Sequence, residues 1–178
     1  MIYTTLNKIL AARPCGQEIR EDKKLRGWLK LLHYLNKTEA DDEPLGYDVI
    51  LKSNGFKDVM WCSQTAPEHN SFWRLLSVKF ARTVQHLMTN QKSLQALAVA
   101  ERHANGNATD EELDAAHDAA GTAAGTAAAL AALAALAAWA AGAAGAARAA
   151  RAWAAEAGAD QETLEKIFID ALNAGETK

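Results

Sequence analysis

Between Asp118 and Arg148 the chain carries no Lys, Arg, Asp or Glu, and residues 122–157 read TAAGTAAALAALAALAAWAAGAAGAARAARAWAAEA. Ala loses no side-chain entropy on entering a helix and has the highest helix propensity, so this stretch predicts one long α-helix. Every third residue is the distinctive one: Leu130, Leu133, Leu136, Trp139, Gly142, Gly145, Arg148 and Arg151. Three residues turn a helix through about 300°, so that series drifts around the cylinder and most of the circumference is methyl. Such a rod has little apolar area per residue and gains most when other helices approach it closely. The expected product is a long Ala-rich central helix with the rest of the chain wrapped against it.

The uncharged run is long enough to span a bilayer. Ala and Gly are only weakly apolar, however, and no aromatic belt marks both ends, so a membrane location is not expected. Pro is confined to Pro14, Pro44 and Pro67, which leaves the chain after Pro67 free for long helices.

Charge divides unevenly along the 178 residues. The first 100 carry 14 Lys and Arg against 10 Asp and Glu, and residues 101–178 carry 5 against 12. A dedicated nucleic-acid binder is usually more basic, so no direct nucleic-acid contact is expected. The asymmetry leaves room for one basic and one acidic contact face. The two cysteines, Cys15 and Cys62, have neither metal-ligand spacing nor a disulfide framework and read as buried or partly buried thiols of a reducing cytosol. The start, MIYTTLNKIL, lacks the basic head and apolar core of a secretion signal, so a cytoplasmic location is expected.

Apolar periodicity outlines the remaining helices. Residues 4–12 predict a short helix ended by Arg13-Pro14, because the residue before Pro avoids the α region. Leu25, Trp28, Leu29, Leu32 and Leu35 predict a helix over 20–36. Asn54-Gly55 separates two short helices, 46–53 and 56–65. Trp73, Leu76, Phe80, Val84 and Leu87 stripe a helix over 71–89, and Leu94 and Leu97 stripe one over 92–104. Thr109 with Glu112 forms a capping-box pattern, and Asp160 caps a last helix whose apolar face is Leu164, Ile167, Phe168, Ala171 and Leu172. The expected fold is all-α, a bundle of roughly seven to nine helices with weak strand signals throughout. Residues 1–107 form an N-terminal helical region, and the Ala-rich region 108–178 packs on it as part of one domain.

No chemistry announces itself. The chain has no phosphate-binding Gly loop, no nucleophile elbow and no HExxH or paired CxxC. The nearest metal-like fragment is Asp114, His117 and Asp118 on one helical turn, but a bundle metal site needs a second such helix and none is visible. Asp41, Asp42 and Glu43 form a carboxylate trio in a polar loop, which a solvated loop explains. No catalytic residue, cofactor or metal is therefore expected.

Two stretches carry a resemblance. LAVAERHANGNATDEELDAAHDAA (Leu97–Ala120), followed by an Ala-rich helix punctuated by Trp and Arg, resembles a group of phage and bacterial Ala-rich proteins of the immunity-protein type. EPLGYDVILKSNGFKDVMW (Glu43–Trp61) is similar to the same group. Relatives repeat Trp-Ala units more densely, whereas here only Trp139 and Trp153 stand in the rod. The resemblance implies a protein that neutralises another protein, with no catalytic residues to carry over.

The expected function is a non-catalytic, phage-encoded binding protein that inhibits a bacterial defence complex, such as an anti-CRISPR protein, by steric occlusion in the host cytosol. The alternatives are an immunity protein for a bacterial toxin, a metal-dependent enzyme, or a module that self-associates through its Ala rod. Candidate partner-binding residues are Lys79, Arg82 and His86, spaced three and four apart on one helix, and Arg148, Arg151 and Trp153 on the rod.

Overall fold

A computed structural model describes residues 2–14, 27–121 and 143–174. In order the elements are β1 (Tyr3–Thr4), α1 (Leu6–Ala11), α2 (Trp28–Tyr34), β2 (Leu45–Gly46), α3 (Tyr47–Asn54), α4 (Phe56–Cys62), α5 (Asn70–Thr83), α6 (Gln91–Ala104), α7 (Asp110–Gly121), α8 (Ala143–Glu156) and α9 (Gln161–Ala174), with 3-10 turns at Ser63–Thr65, Pro67–His69 and Gln85–Leu87. The chain is an all-α helical bundle, with nine α-helices among the described residues. The first 21 residues of the Ala-rich stretch, 122–142, lie outside the described residues; α8 is its last part.

Side-chain caps start four of the helices, two of them, at Thr109 and Asp160, expected from the sequence. Thr5 caps α1 by accepting the Lys8 N–H at 3.1 Å. Asn90 accepts the Lys92 N–H at 2.8 Å and opens α6. Thr109 and Glu112 exchange hydrogen bonds reciprocally, at 3.0 and 3.2 Å, which satisfies two otherwise orphaned donors of α7. Asp160 takes both the backbone N–H and the hydroxyl of Thr163 at the start of α9, at 2.8 and 2.7 Å.

Several boundaries differ from the periodicity. The helix expected over 20–36 does not run through Gly27, which sits at φ 48° and ψ −103°, a conformation that Gly alone adopts readily; the described helix begins at Trp28. Residues 20–26 lie outside the described residues. The helix expected over 71–89 ends at Thr83, where Val84 moves to φ −111° and a separate 3-10 turn carries Gln85–Leu87. The short helix expected over 56–65 tightens into a 3-10 turn after Cys62. Thr4, expected to open the helix over 4–12, instead pairs antiparallel with Leu45, and Tyr3 before it pairs with Gly46.

The core forms around α5. Trp73, Leu76 and Phe80 are fully buried along it. Phe56 of α4 and Phe168 of α9 meet its aromatic residues: Phe56 lies 6.2 Å from Phe80 and 6.0 Å from Phe168 between ring centroids, and Phe72 lies 6.4 Å from Phe168. Edge-on and tilted ring contacts of this kind add about 0.5–1.5 kcal/mol beyond burial. The most extensive helix–helix contact among the described elements is between α5 and α8. From α8 it buries Ala147, Ala150 and Ala154 completely. A methyl-lined face lets two helix axes come close, so the Ala-rich helix contributes proximity rather than bulk. α7 packs on α6, and α9 packs on α5.

A buried hydroxyl network fastens the N-terminal strand to the end of α4. Tyr47 Oη and Thr65 Oγ1 each donate to the Cys62 carbonyl at 2.7 Å, and Thr4 Oγ1 lies 2.7 Å from Thr65 Oγ1. Trp73 Nε1 donates to the Ala66 carbonyl at 3.1 Å beside them. Each polar side-chain atom of this network thus finds a partner inside the core, as burial requires.

Candidate functional site

The two expected contact faces fare differently. On α5, Lys79 is exposed and Arg82 half-buried, and both line a shallow groove with Thr83, Glu101 and Asp170. Arg82 forms an ion pair with Glu101 of α6 and donates to Gln85 Oε1 at 2.6 Å. Its fork is therefore occupied within the chain, and the groove holds carboxylates as well as cations. His86 is exposed but sits in the 3-10 turn beyond the end of α5. The continuous strip Lys79–Arg82–His86 expected from three- and four-residue spacing is broken at Thr83, because that spacing aligns residues only while the α-helix continues.

On α8, Arg148, Arg151 and Trp153 are all half-buried. At about 100° per residue, Arg151 stands about 70° and Arg148 about 130° to one side of the buried Ala147–Ala150–Ala154 stripe, and Trp153 about 90° to the other. Trp153 packs against the core cluster and is not flanked by the two arginines, contrary to the expectation that they form one patch. The Arg151 guanidinium lies 5.7 Å from the centroid of the Phe56 ring, a cation–π contact that fixes its orientation. Arg148 has no ion pair or hydrogen bond among the described residues. Trp139 lies outside them.

Sequence reasoning missed Arg74 on α5. Its Nε is buried and meets no hydrogen-bond acceptor among the described residues. Nothing local marks it, since an Arg beside an apolar stripe usually reaches water. Phe56 as the platform for Arg151 was equally hidden, because the two are joined only by the fold.

The metal-like fragment on α7 does not converge. Asp114, His117 and Asp118 are exposed, with His117 Nδ1 3.8 Å from Asp118 Oδ1. Among the described residues no group of three or more His, Cys, Asp or Glu is arranged to hold a metal ion. The carboxylate trio of the 38–45 loop is organised by a lysine instead. Lys37 pairs with Asp41 and, at 2.6 Å, with Glu43, while the Asp41 carbonyl accepts the Asn7 N–H at 3.0 Å. The Lys37 hydrogen bond holds the Asp41 carboxyl below the usual range.

A cavity of about 130 Å3 opens between α1, α2, α3 and α4, lined mainly by Ile9, Trp28, Leu31, Ile50, Trp61 and Cys62. Burial pushes the Cys62 thiol up to about 12, so it stays protonated and is a poor nucleophile near neutral pH. Burial likewise raises the Tyr47 phenol. Neither group is activated for chemistry.

The class is that of an all-α helical bundle with an Ala-lined helix packed into its core. No family model, no curated protein and no solved structure matches the chain. Among the described residues no helix is long and apolar enough to cross a membrane.

Proposed function

We propose that the chain is a non-catalytic binding protein that inactivates a bacterial macromolecule by occluding it, with a phage-encoded inhibitor of a defence system, such as an anti-CRISPR protein, as the specific form. It acts in the bacterial cytosol, needs no cofactor, and engages a protein complex rather than nucleic acid. The observation that carries the reading is the arginine side of α8. Arg151 is oriented by Phe56, and Arg148 beside it has no counter-ion among the described residues. Oriented arginines on a rigid helix are what anchors at protein interfaces are made of. The resemblance of Leu97–Ala120 and Glu43–Trp61 to phage and bacterial immunity-type proteins points the same way.

The test is protection in cells. The chain is expressed in bacteria carrying active CRISPR interference of several types, and survival of a targeted plasmid is measured. Wild type should rescue the plasmid in at least one type, and the Arg148→Glu/Arg151→Glu variant should not, while keeping its helical circular dichroism and melting temperature. Absence of rescue in every type removes the anti-CRISPR form of the reading. Rescue that survives the double reversal removes α8 as the contact face.

A further inference from the structure

Asn precedes Gly twice in this chain, at Asn54-Gly55 and Asn105-Gly106. Gly has no Cβ to shield its backbone nitrogen, so that nitrogen can approach the side-chain amide carbon of the Asn before it. Both pairs close a helix: Gly55 ends α3 at φ 89° and Gly106 follows α6 at φ 75°. Both Gly N–H groups are held in the same way, Gly55 by the Leu51 carbonyl at 2.8 Å and Gly106 by the His103 carbonyl at 2.9 Å. The backbone therefore treats the two pairs alike, and the Asn side chains separate them.

Asn54 is half-buried. Its Nδ2 donates to the Gly27 carbonyl and to Asp58 Oδ2, each at 2.9 Å, and its Oδ1 accepts from Ser53 Oγ at 2.9 Å. Turning that amide toward Gly55 breaks bonds to the start of α2 and to α4. Asn105 is exposed, as are Gly106 and Asn107 after it. Its Nδ2 donates to the Glu101 carbonyl of its own helix at 2.8 Å, a bond that fraying of the last turn releases and water replaces. Exposed helix ends open locally at little cost, whereas a side chain tied to two other segments opens only with them.

We infer that Asn105 is a site of spontaneous deamidation, with water as the co-reactant, and that the reaction loosens the turn between α6 and α7. The Gly106 nitrogen bonds to Asn105 Cγ, the Cγ–Nδ2 bond breaks, and the Gly106 N–H proton leaves with the amide as ammonia. Water then opens the cyclic imide at either carbonyl, and nothing is oxidised or reduced. One product is aspartate; in the other, isoaspartate, the main chain runs through the former side-chain carbon. Either carboxylate falls at the negative end of the α6 dipole and ends the donation to Glu101. Isoaspartate also lengthens the backbone by one carbon, which shifts the turn where the Asn107 N–H meets the Arg102 carbonyl at 2.8 Å. That turn sets Arg102 against Glu112 at 2.9 Å and His103 Nε2 against Asp110 Oδ1 at 2.8 Å, polar ties between α6 and α7. The inference stands apart from the proposed function, since it needs no partner.

The full-length chain is incubated at mildly alkaline pH, native and in urea, then digested at acidic pH and mapped by mass spectrometry, which reads the exchange of an amide for a carboxyl. In urea both Asn-Gly peptides should react alike. In the native protein the Asn105 peptide should react, and the Asn54 peptide about tenfold or more slowly, because its hydrogen bonds to α2 and α4 must open first. Asn105→Gln should remove the native signal. A native Asn105 peptide that stays unmodified while the unfolded chain reacts, or a native Asn54 peptide that reacts as fast, overturns the inference. The isoaspartate form, separated by charge, should exchange the amide hydrogens of Asp110–Gly121 faster than the unmodified chain. Equal exchange overturns the loosening of the turn.

Discussion

Replacing Ala150 by Leu puts an isobutyl group where a methyl is fully enclosed between α8 and α5. If the Ala stripe serves to bring the two helix axes together, there is no space for the added carbons and the helices must separate or twist. Overpacking of a well-packed core costs about 1–3 kcal/mol. For a chain of this size that lowers the melting temperature by about 2–4 °C per kcal/mol, so a drop of about 2–12 °C is expected. Two controls isolate the cause. Ala152 is exposed on the same helix, and because Leu and Ala differ by only a few tenths of a kcal/mol in helix propensity, Ala152→Leu should melt close to wild type. Ala150→Gly removes the methyl without adding bulk and should cost about 1 kcal/mol through backbone entropy. Thermal unfolding by circular dichroism reads all three. An Ala150→Leu protein that melts within a degree of Ala152→Leu would refute close α5–α8 packing, and with it the account of why the helix is built of Ala.

Four more outcomes follow from single groups. Tyr47→Phe removes one of two donors to the Cys62 carbonyl, and Thr65 still satisfies that carbonyl, so a loss of about 1 kcal/mol by urea denaturation is expected. Arg74→Met keeps the aliphatic stem and deletes an enclosed donor without an acceptor, so stability should stay level or rise in the same assay. The Cys62 thiol is buried with its pKa raised to about 12, so maleimide labelling followed by peptide mapping should find it unmodified in the native protein at pH about 8 and modified once urea unfolds the chain. Finally, the Thr163 hydrogen bonds hold Asp160 below its ordinary range, and the Thr109 N–H and Arg102 do the same for Glu112. A depressed carboxyl contributes stability above its unfolded pKa and loses it as pH falls through the lower folded value, so urea midpoints should decline from about pH 4 downward. Asp160→Asn and Glu112→Gln should flatten that decline; an unchanged slope would argue against both caps.

Much of the fold was legible because caps and apolar stripes are local. Thr5, Asn90, Thr109 and Asp160 start helices by bonding to donors two or three residues away, which a sequence displays directly. Helix ends set by backbone geometry were harder. Val84 and Leu87 continue the apolar spacing of α5, yet Thr83 Oγ1 bonds back to the Phe80 carbonyl at 2.7 Å and the chain leaves the α-helix there. Side chains obey a period whether or not the backbone still follows it, so the stripe ran on to residue 89 while the helix stopped at 83. Gly27 shows the same limit, because spacing around a Gly does not reveal the sign of its φ. The candidate site was less legible still. Arg148 and Arg151 were found because they interrupt a methyl surface, but the Phe56 ring that orients Arg151 lies far away in the chain, and Trp153 could be separated from them only once the buried stripe was known.

These failures share a direction that bears on function. Where the sequence put cations in regular order on a good amphipathic helix, the fold engaged Arg82 with Glu101 and moved His86 off the strip. Where it offered two arginines on an otherwise plain helix, neither pairs with a carboxylate among the described residues. Regular spacing is what internal packing selects, because neighbouring helices share the same period and can meet charge with charge. A charge that a folded chain half-buries and leaves without a counter-ion has no such internal reason. Methyl groups on the inner side of α8 bring it close against α5, and this close seating gives Arg148 and Arg151 a rigid base, which the proposed contact requires. On the proposed reading the same helix joins stability to recognition: enlarging its inner face should disturb both, and changing its outer arginines should disturb recognition alone.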